Sequence, residues 1–342
     1  MLSKFDTTDS GRLLRWAVTL LLVSLVGCGG ESGGSTSSSV GSNPLPQPPG
    51  TPIAINVTNA TQVSAIALEP GLGGTDLLNT VTGVETSTPS TPRALTRTLL
   101  RVTRDATERR TAPQSVVGIA QTSQCAVSGS VTEDSSLDGS SGATTYNACS
   151  EVPGETLNGS SSFSGLTFTF DEVSGDFGMS GNFSMDLTYT EAGSAPLRMV
   201  GSFSMNFSCS FTTGNCQSTF FGSSLGASDG TNTWFITNFT ITEASDPTDI
   251  TITVNYTVSS TELNGAVTVL TSPSAPLKMA HTALHPHTGT VIITGAANSK
   301  IRVTVHGSDA IAANQVQIEV DADGDGSYES STFYSWTQLE GL

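Results

Sequence analysis

The sequence predicts an all-β fold: mainly an antiparallel meander, shaped as a sandwich, curved sheet or barrel-like body, with a small N-terminal helical segment. Three observations carry this. From Cys125 onward apolar residues recur with a period of two. Turn signals such as "SDGTN" and "SDPTD" separate the alternating runs. Charged residues make up only 13% of the 342-residue chain, and Gly, Ser and Thr are abundant, a composition that suits strands and turns better than long helices.

The chain begins with a basic stretch, Lys4, Arg12 and Arg15, diluted by Asp6 and Asp9. The apolar run "WAVTLLLVSLV", Trp16 to Val26, follows. It is too short to cross a bilayer, which takes about 20 apolar residues, and reads as an export signal over residues 1–27. The run ends in "LVGC", Leu25 to Cys28, which resembles the lipobox of bacterial lipoprotein precursors. The resemblance implies that the Cys28 thiol takes a diacylglyceryl group. Cleavage before Cys28 then makes it the first residue of the mature chain, and its new amino group is acylated. Several acyl chains would anchor the protein firmly, since each buried methylene contributes about 0.8 kcal/mol. Gly29 stands where an Asp would favour inner-membrane retention, so the resemblance points to the outer membrane.

Residues 28–53 then form a Ser/Gly/Pro linker that lets a folded body stand off the membrane. Residues 54–115 are expected to be partly helical. "TNATQVSAIALEP" offers Thr58 or Asn59 as an N-cap and ends at Pro70. "TDLLNTV" is a second short candidate. "TPRALTRTLLRVTRDATERR" starts with Pro92 and puts Leu95, Leu99, Val102 and Ala106 on one face. The arginines of this last helix are expected against the acidic body or in water, the other reading being contact with an acidic membrane surface or partner.

The β body spans residues 116–342. "FGMSGNFSMDLTY" places Phe177, Met179, Gly181, Phe183, Met185, Leu187 and Tyr189 on one side, and "MVGSFSMNFSCSF" does the same from Met199 to Phe211. "MSGNFSMDL" and "MVGSFSMNF" form an internal repeat with glycine at an inward position. If those glycines align across strands, they leave a stripe on which the N-terminal helices could pack. Further strands are expected in "TWFITNFTIT", "ITITVNYTV", "GAVTVLTS", "GTVIITGA", "KIRVTVHG" and "QVQIEVDA", about ten in all.

Export fixes how the cysteines are read. Beyond Cys28 there remain Cys125, Cys149, Cys209 and Cys216, an even set that in an oxidising compartment suggests two disulfides. Three pairings are possible. Cys209 and Cys216 flank the short turn "SFTTGN", which makes a hairpin bridge natural and leaves Cys125 to Cys149. A four-cysteine metal site is disfavoured because no CxxC pair occurs.

"VDADGDGSYE", residues 320–329, crowds like charges. Asp321, Asp323 and Asp325 alternate, Gly326 permits a sharp turn, and Glu329 follows, with the Ser327 carbonyl between them. Hard oxygen ligands so spaced suit Ca²⁺. The stretch resembles the DxDxDG calcium loops that cap β-hairpins in integrin-type propellers. It departs from an EF-hand because Thr332 stands where Glu is required and a strand precedes the loop. A structural ion clamping the last hairpin is expected, with "STFYSWTQL" as the returning strand and Trp336 packed inward.

The remaining chemistry is sparse. His281, His285, His287 and His306 lie late, and Pro286 breaks any helix that would align the first two. Two GxSxG strings surround Ser224 and Ser228, but a strand follows them where a nucleophile elbow needs a helix. The net charge of −17 repels nucleic acid and favours divalent cations or cationic partners. Outside the six arginines from Arg93 to Arg110, the region after the signal has only Arg198, Lys278, Lys300 and Arg302 as basic residues. The whole arrangement resembles uncharacterised proteobacterial lipoproteins. That resemblance implies no activity; the expectation is a non-catalytic, lipid-anchored envelope protein, structural or ligand-binding, with membrane contact through its anchor. The alternative is an exported hydrolase acting on glycan or lipid.

Overall fold

A computed structural model describes residues 44–72, 120–307 and 315–340, apart from Leu137, Glu172, Phe211, Thr282 and Leu284. The export signal, Cys28 and the two helical candidates at 75–81 and 91–110 lie outside the described residues.

Among the described residues, chain order gives a helix, then strands and a short closing helix. Helix α1 is Ala60–Leu72. The first seven strands are β1 (Gln121–Gln124), β2 (Ser128–Ser135), β3 (Gly142–Ser150), β4 (Glu155–Phe170), β5 (Phe177–Glu191), β6 (Leu197–Ser210) and β7 (Asn215–Ser228). Then come β8 (Thr233–Ser245), β9 (Asp249–Ser260), β10 (Gly265–Thr271), β11 (Leu277–Ala280) and β12 (Thr288–Thr294). The chain ends with β13 (Lys300–His306), β14 (Gln315–Asp321), β15 (Ser330–Ser335) and the short helix α2 (Trp336–Glu340).

All fifteen strands form one antiparallel sheet, and each neighbour in space is a neighbour in sequence save at one point. There β10 and β11 are two halves of an interrupted strand: both pair with β9 on one side and β12 on the other. "SPSAP" loops out between them, since Pro273 and Pro276 cannot donate to a ladder. The expected meander is therefore present, with more strands than the ten or so the pattern revealed. β4 was not singled out because Ser and Gly fill so many of its positions.

Alternation sorts the side chains. One face carries the core, from Leu157 and Phe183 through Ile250 and Val291 to Ile318. The other carries Ser, Thr and Asn, which bond across strands: Ser162 to Ser184, Thr167 to Ser180, and Ser204 to Asn182. The composition that first suggested strands is thus largely the outer surface of this sheet.

The internal repeat has a geometric consequence. Antiparallel pairing sets Phe183 opposite Phe203, with the rings stacked at 5.1 Å. On either side Gly181 faces Met205 and Gly201 faces Met185. The glycines do not line up. Each stands opposite a methionine, because reversing one copy of the repeat swaps the two positions, and the space each leaves is taken on its other side, by Leu166 at Gly181 and by Leu225 at Gly201. Nor does α1 pack there; it lies against β9, β10, β13 and β14.

The chain enters the body before α1. Leu45 and Pro48 are already buried, so the Pro-rich end of the expected linker packs on the body. Ile53 donates its N–H to the Ala266 carbonyl, and the Ala266 N–H returns to Thr51. Asn59 stands just before α1, its backbone carbonyl accepting the Val63 N–H, while Asn56 and Asn59 exchange backbone-to-side-chain bonds. The helix runs two residues past Pro70 to Leu72. A proline in the last turn removes one backbone bond there but does not end the coil at that residue.

Helix α1 is buried on most sides: Val63, Ser64 and Ala67 have at most 1% exposure. The Tyr256 hydroxyl donates to the Ala67 carbonyl at 2.6 Å, tying β9 to the helix. Tyr256→Phe deletes a buried hydrogen bond and is expected to lower unfolding free energy by about 1–2 kcal/mol with the fold retained. Urea denaturation of the two proteins measures it, and equal midpoints would remove this bond from the account.

Candidate metal centre

The four carboxylates singled out in the sequence do meet. At the tip of the β14–β15 hairpin, Asp321, Asp323, Asp325 and Glu329 each bring an oxygen to within 4.8 Å of the others. The cluster can therefore hold a metal ion.

Local hydrogen bonds explain why the loop takes this shape. Asp321 is fully buried, and its two oxygens accept the N–H groups of Gly324 (2.7 Å) and Gly326 (3.1 Å). Asp323 accepts from the Asp325 N–H, and Asp325 accepts from the Ser327 N–H. Glu329 reaches back to the Ala322 N–H, and its own N–H bonds the Val320 carbonyl. Gly324 and Gly326 have φ of +75° and +93°, values that side-chain-bearing residues rarely adopt. The repeated Asp-x spacing thus folds the turn and points the remaining oxygens together. Asp323, Asp325 and Glu329 are exposed, so a cation can enter from solvent. Ser327 sits in the same turn through its bond to Asp325.

The brace beside the loop could not be read from the sequence. Arg302 on β13 lies directly opposite Glu319 on β14 and grips it with two bonds of 2.6 and 2.8 Å. The same guanidinium covers the Tyr328 ring at 4.1 Å. Burial pushes the Tyr328 hydroxyl above its usual range. Nothing in residue spacing announces a register pair across two strands.

Trp336 is buried as expected, but it opens α2 and does not continue β15. His285 stacks on it at 5.0 Å. The other histidines bond elsewhere: His281 to the Asp246 carbonyl, His287 to the Asp249 carboxylate and His306 to the Gln317 side chain. They do not form a shared site.

Both GxSxG serines lie on β7. Ser224 pairs in mid-strand with Ser202 and Thr237, and the Ser228 hydroxyl bonds the Asn232 carbonyl. Neither stands on a strand-to-helix turn, so neither is a nucleophile elbow. An open trough of about 640 Å³ lies at the other end of the sheet. One outward row across six strands lines it: Thr169, Gly178, Ser208, Gln217, Ala244 and Thr251.

The aspartates on the trough's rim hold turns. Asp171 accepts the N–H groups of Val173 and Ser174, which lower its pKa. Asp246 accepts the Thr248 hydroxyl and the N–H groups of Asp249 and Thr248, which bring it from 3.8 to about 2. A folded-state value below the ordinary one gives stability that is full above about pH 4 and lost as pH falls toward 2. Urea midpoints should therefore fall over that range less steeply for Asp246→Asn than for the wild type. Parallel curves would exclude the Asp246 turn as the source.

The disulfides join Cys125 to Cys149 and Cys209 to Cys216, the latter pair directly opposite on β6 and β7. Two disulfides point to an oxidising, extracytoplasmic environment. Among the described residues no helix is long and apolar enough to cross a membrane. The chain matches no known family model, and no curated protein matches it either.

Proposed function

We propose that the chain is a lipid-anchored protein of the cell envelope, structural or ligand-binding rather than catalytic, in which a calcium ion clamps the last hairpin. The observation that carries this reading is the carboxylate cluster, whose oxygens lie within 4.8 Å of one another. Carboxylates and a backbone carbonyl on a loop are the hard oxygen donors that calcium takes in variable number and geometry, whereas magnesium demands a near-ideal octahedron and keeps several waters. Asp321, Asp323, Asp325 and Glu329 would hold it, joined by the Ser327 carbonyl, and the ion would supply charge neutralisation at a hairpin tip. The "LVGC" motif and the two disulfides support export, which brings the loop into a compartment where calcium is plentiful.

Two measurements test the reading. Terbium should luminesce on the wild type through excitation of Tyr328, and calcium should displace it at far lower concentration than magnesium. Absence of terbium binding would end the metal assignment. Labelled palmitate should enter the wild type and not Cys28→Ala; equal labelling would end the anchor.

A further inference from the structure

The outer face of the sheet carries a pattern that packing does not require. One row of outward positions runs straight across β4 to β9: Ser164, Asn182, Ser204, Phe221, Thr240 and Asn255. The rows on either side, from Thr167 to Thr253 and from Ser162 to Thr257, hold only Ser, Thr and Asn. A chain with 30 acidic residues thus places none of them on this plate, and no basic residue either. At its centre stands Phe221, 37% exposed, with Ser204 and Thr240 as its ladder neighbours. The same row continues to Leu270 on β10, 44% exposed and three strand spacings, about 14 Å, beyond Phe221. The row past Thr167 floors the open trough, so the polar surface runs on into it.

Backbone irregularities gather on the same row. β4 has Gly165 and Leu166 opposite Gly181, β7 has Gly222 and Ser223 opposite Phe203, and β8 has Asn238 and Phe239 opposite Tyr256. Each is a bulge, one extra residue that bends its strand and re-aims the side chains beside it. Asn238 takes the left-handed φ of 49° in doing so. A surface that only meets water needs no such devices, and regular ladders would have kept more backbone bonds.

We propose that this plate binds a neutral polysaccharide laid across the strands. The chemistry of the plate rejects the other classes of ligand. Nucleic acid needs cations to meet its phosphates, and the plate has none. An apolar surface would bury hydroxyls and amides without partners, which is costly for every group left unpaired. A glycan chain brings uncharged hydroxyls that both donate and accept, and Ser, Thr and Asn side chains do the same. Its sugar rings also present C–H faces, which Phe221 and Leu270 can cover at two points along one chain. Asn182 is engaged only through its side-chain oxygen, by the Ser204 hydroxyl, so its amide N–H groups are left to a ligand beside Phe221. The inference builds on the ligand-binding reading above by naming the ligand, and it uses neither the acidic loop nor the anchor.

The test is an array of linear neutral hexasaccharides built from glucose, mannose, galactose or N-acetylglucosamine, read in chelator so that the acidic loop plays no part. The wild type should bind at least one series. Phe221→Ala should weaken that binding about tenfold, the loss expected for one stacked ring. Phe170→Ala, which removes an exposed aromatic at the end of β4, should bind as the wild type does. Binding to none of the four series, or a loss in Phe221→Ala no greater than that in Phe170→Ala, overturns the plate as a glycan site and leaves the metal and anchor assignments standing.

Discussion

Phe183→Ala is expected to remove about 3–5 kcal/mol of stability, the range for losing a buried aromatic from a core that cannot collapse. Phe183 is 2% exposed and stacks on Phe203 with only 13° between the rings. Ladders hold the backbone on both sides, through Phe163 on β4 and Phe203 on β6. The strands cannot close on the void, because the same ladders continue beyond the site in both directions. Nor can the flanking glycines help. A Cβ on Gly201 would lie 2.5 Å from the Ser224 carbonyl oxygen, so this stretch of β6 already touches the next strand. Urea unfolding should show a lower midpoint with unchanged slope. Phe170→Ala is the contrast: that ring is 47% exposed, and its loss should shift stability by no more than about 0.5 kcal/mol. Equal losses at both positions would mean that the repeat does not centre the core.

The repeat also shows how far the sequence could be read. β5 and β6 were legible because large apolar residues alternate over their whole length, and no helix period fits them. β4 was not, because its inward positions include Gly159 and Ser161 while its outward ones are also small. Period two needs contrast between faces, and a Ser/Gly strand supplies little. The glycine stripe failed for a different reason. Which residues stand opposite depends on register, and an antiparallel hairpin pairs a repeat with its own reversal.

The acidic loop was legible because its ligands are local: nine consecutive residues contain the turn, its hydrogen bonds and the carboxylates. What surrounds it was not. The β12–β13 turn on which Gly324 packs is held from far along the chain, by the Ile55–Ser299 bond with a sequence separation of 244. Arg302 reaches Tyr328 only because β13 and β14 are in a particular register. The "SPSAP" break lay between two stretches that each read as strand, and only their shared partners reveal them as one.

The loop permits a prediction whose sign reverses with calcium. Saturating calcium at about a hundred times its dissociation constant should add about 2.7 kcal/mol to unfolding free energy. The variant to compare is Asp323→Asn. Asp321 would be a poor choice, since its buried carboxylate holds the Gly324 and Gly326 N–H groups whether or not an ion is present. Asp323 is exposed and holds one N–H, that of Asp325, which an asparagine oxygen can also accept. In chelator, therefore, Asp323→Asn removes one charge from a crowded cluster and keeps the turn, so its melting temperature should equal or exceed that of the wild type. In calcium the same change removes a charged ligand, and most of the gain should vanish. The two curves cross. A loop that is merely an acidic surface turn predicts no crossing, because calcium would then act on both proteins alike. A turn held together by the Asp323 side chain alone predicts the variant to be weaker in both conditions. Only an ion bound among these carboxylates makes the same substitution harmless without calcium and costly with it.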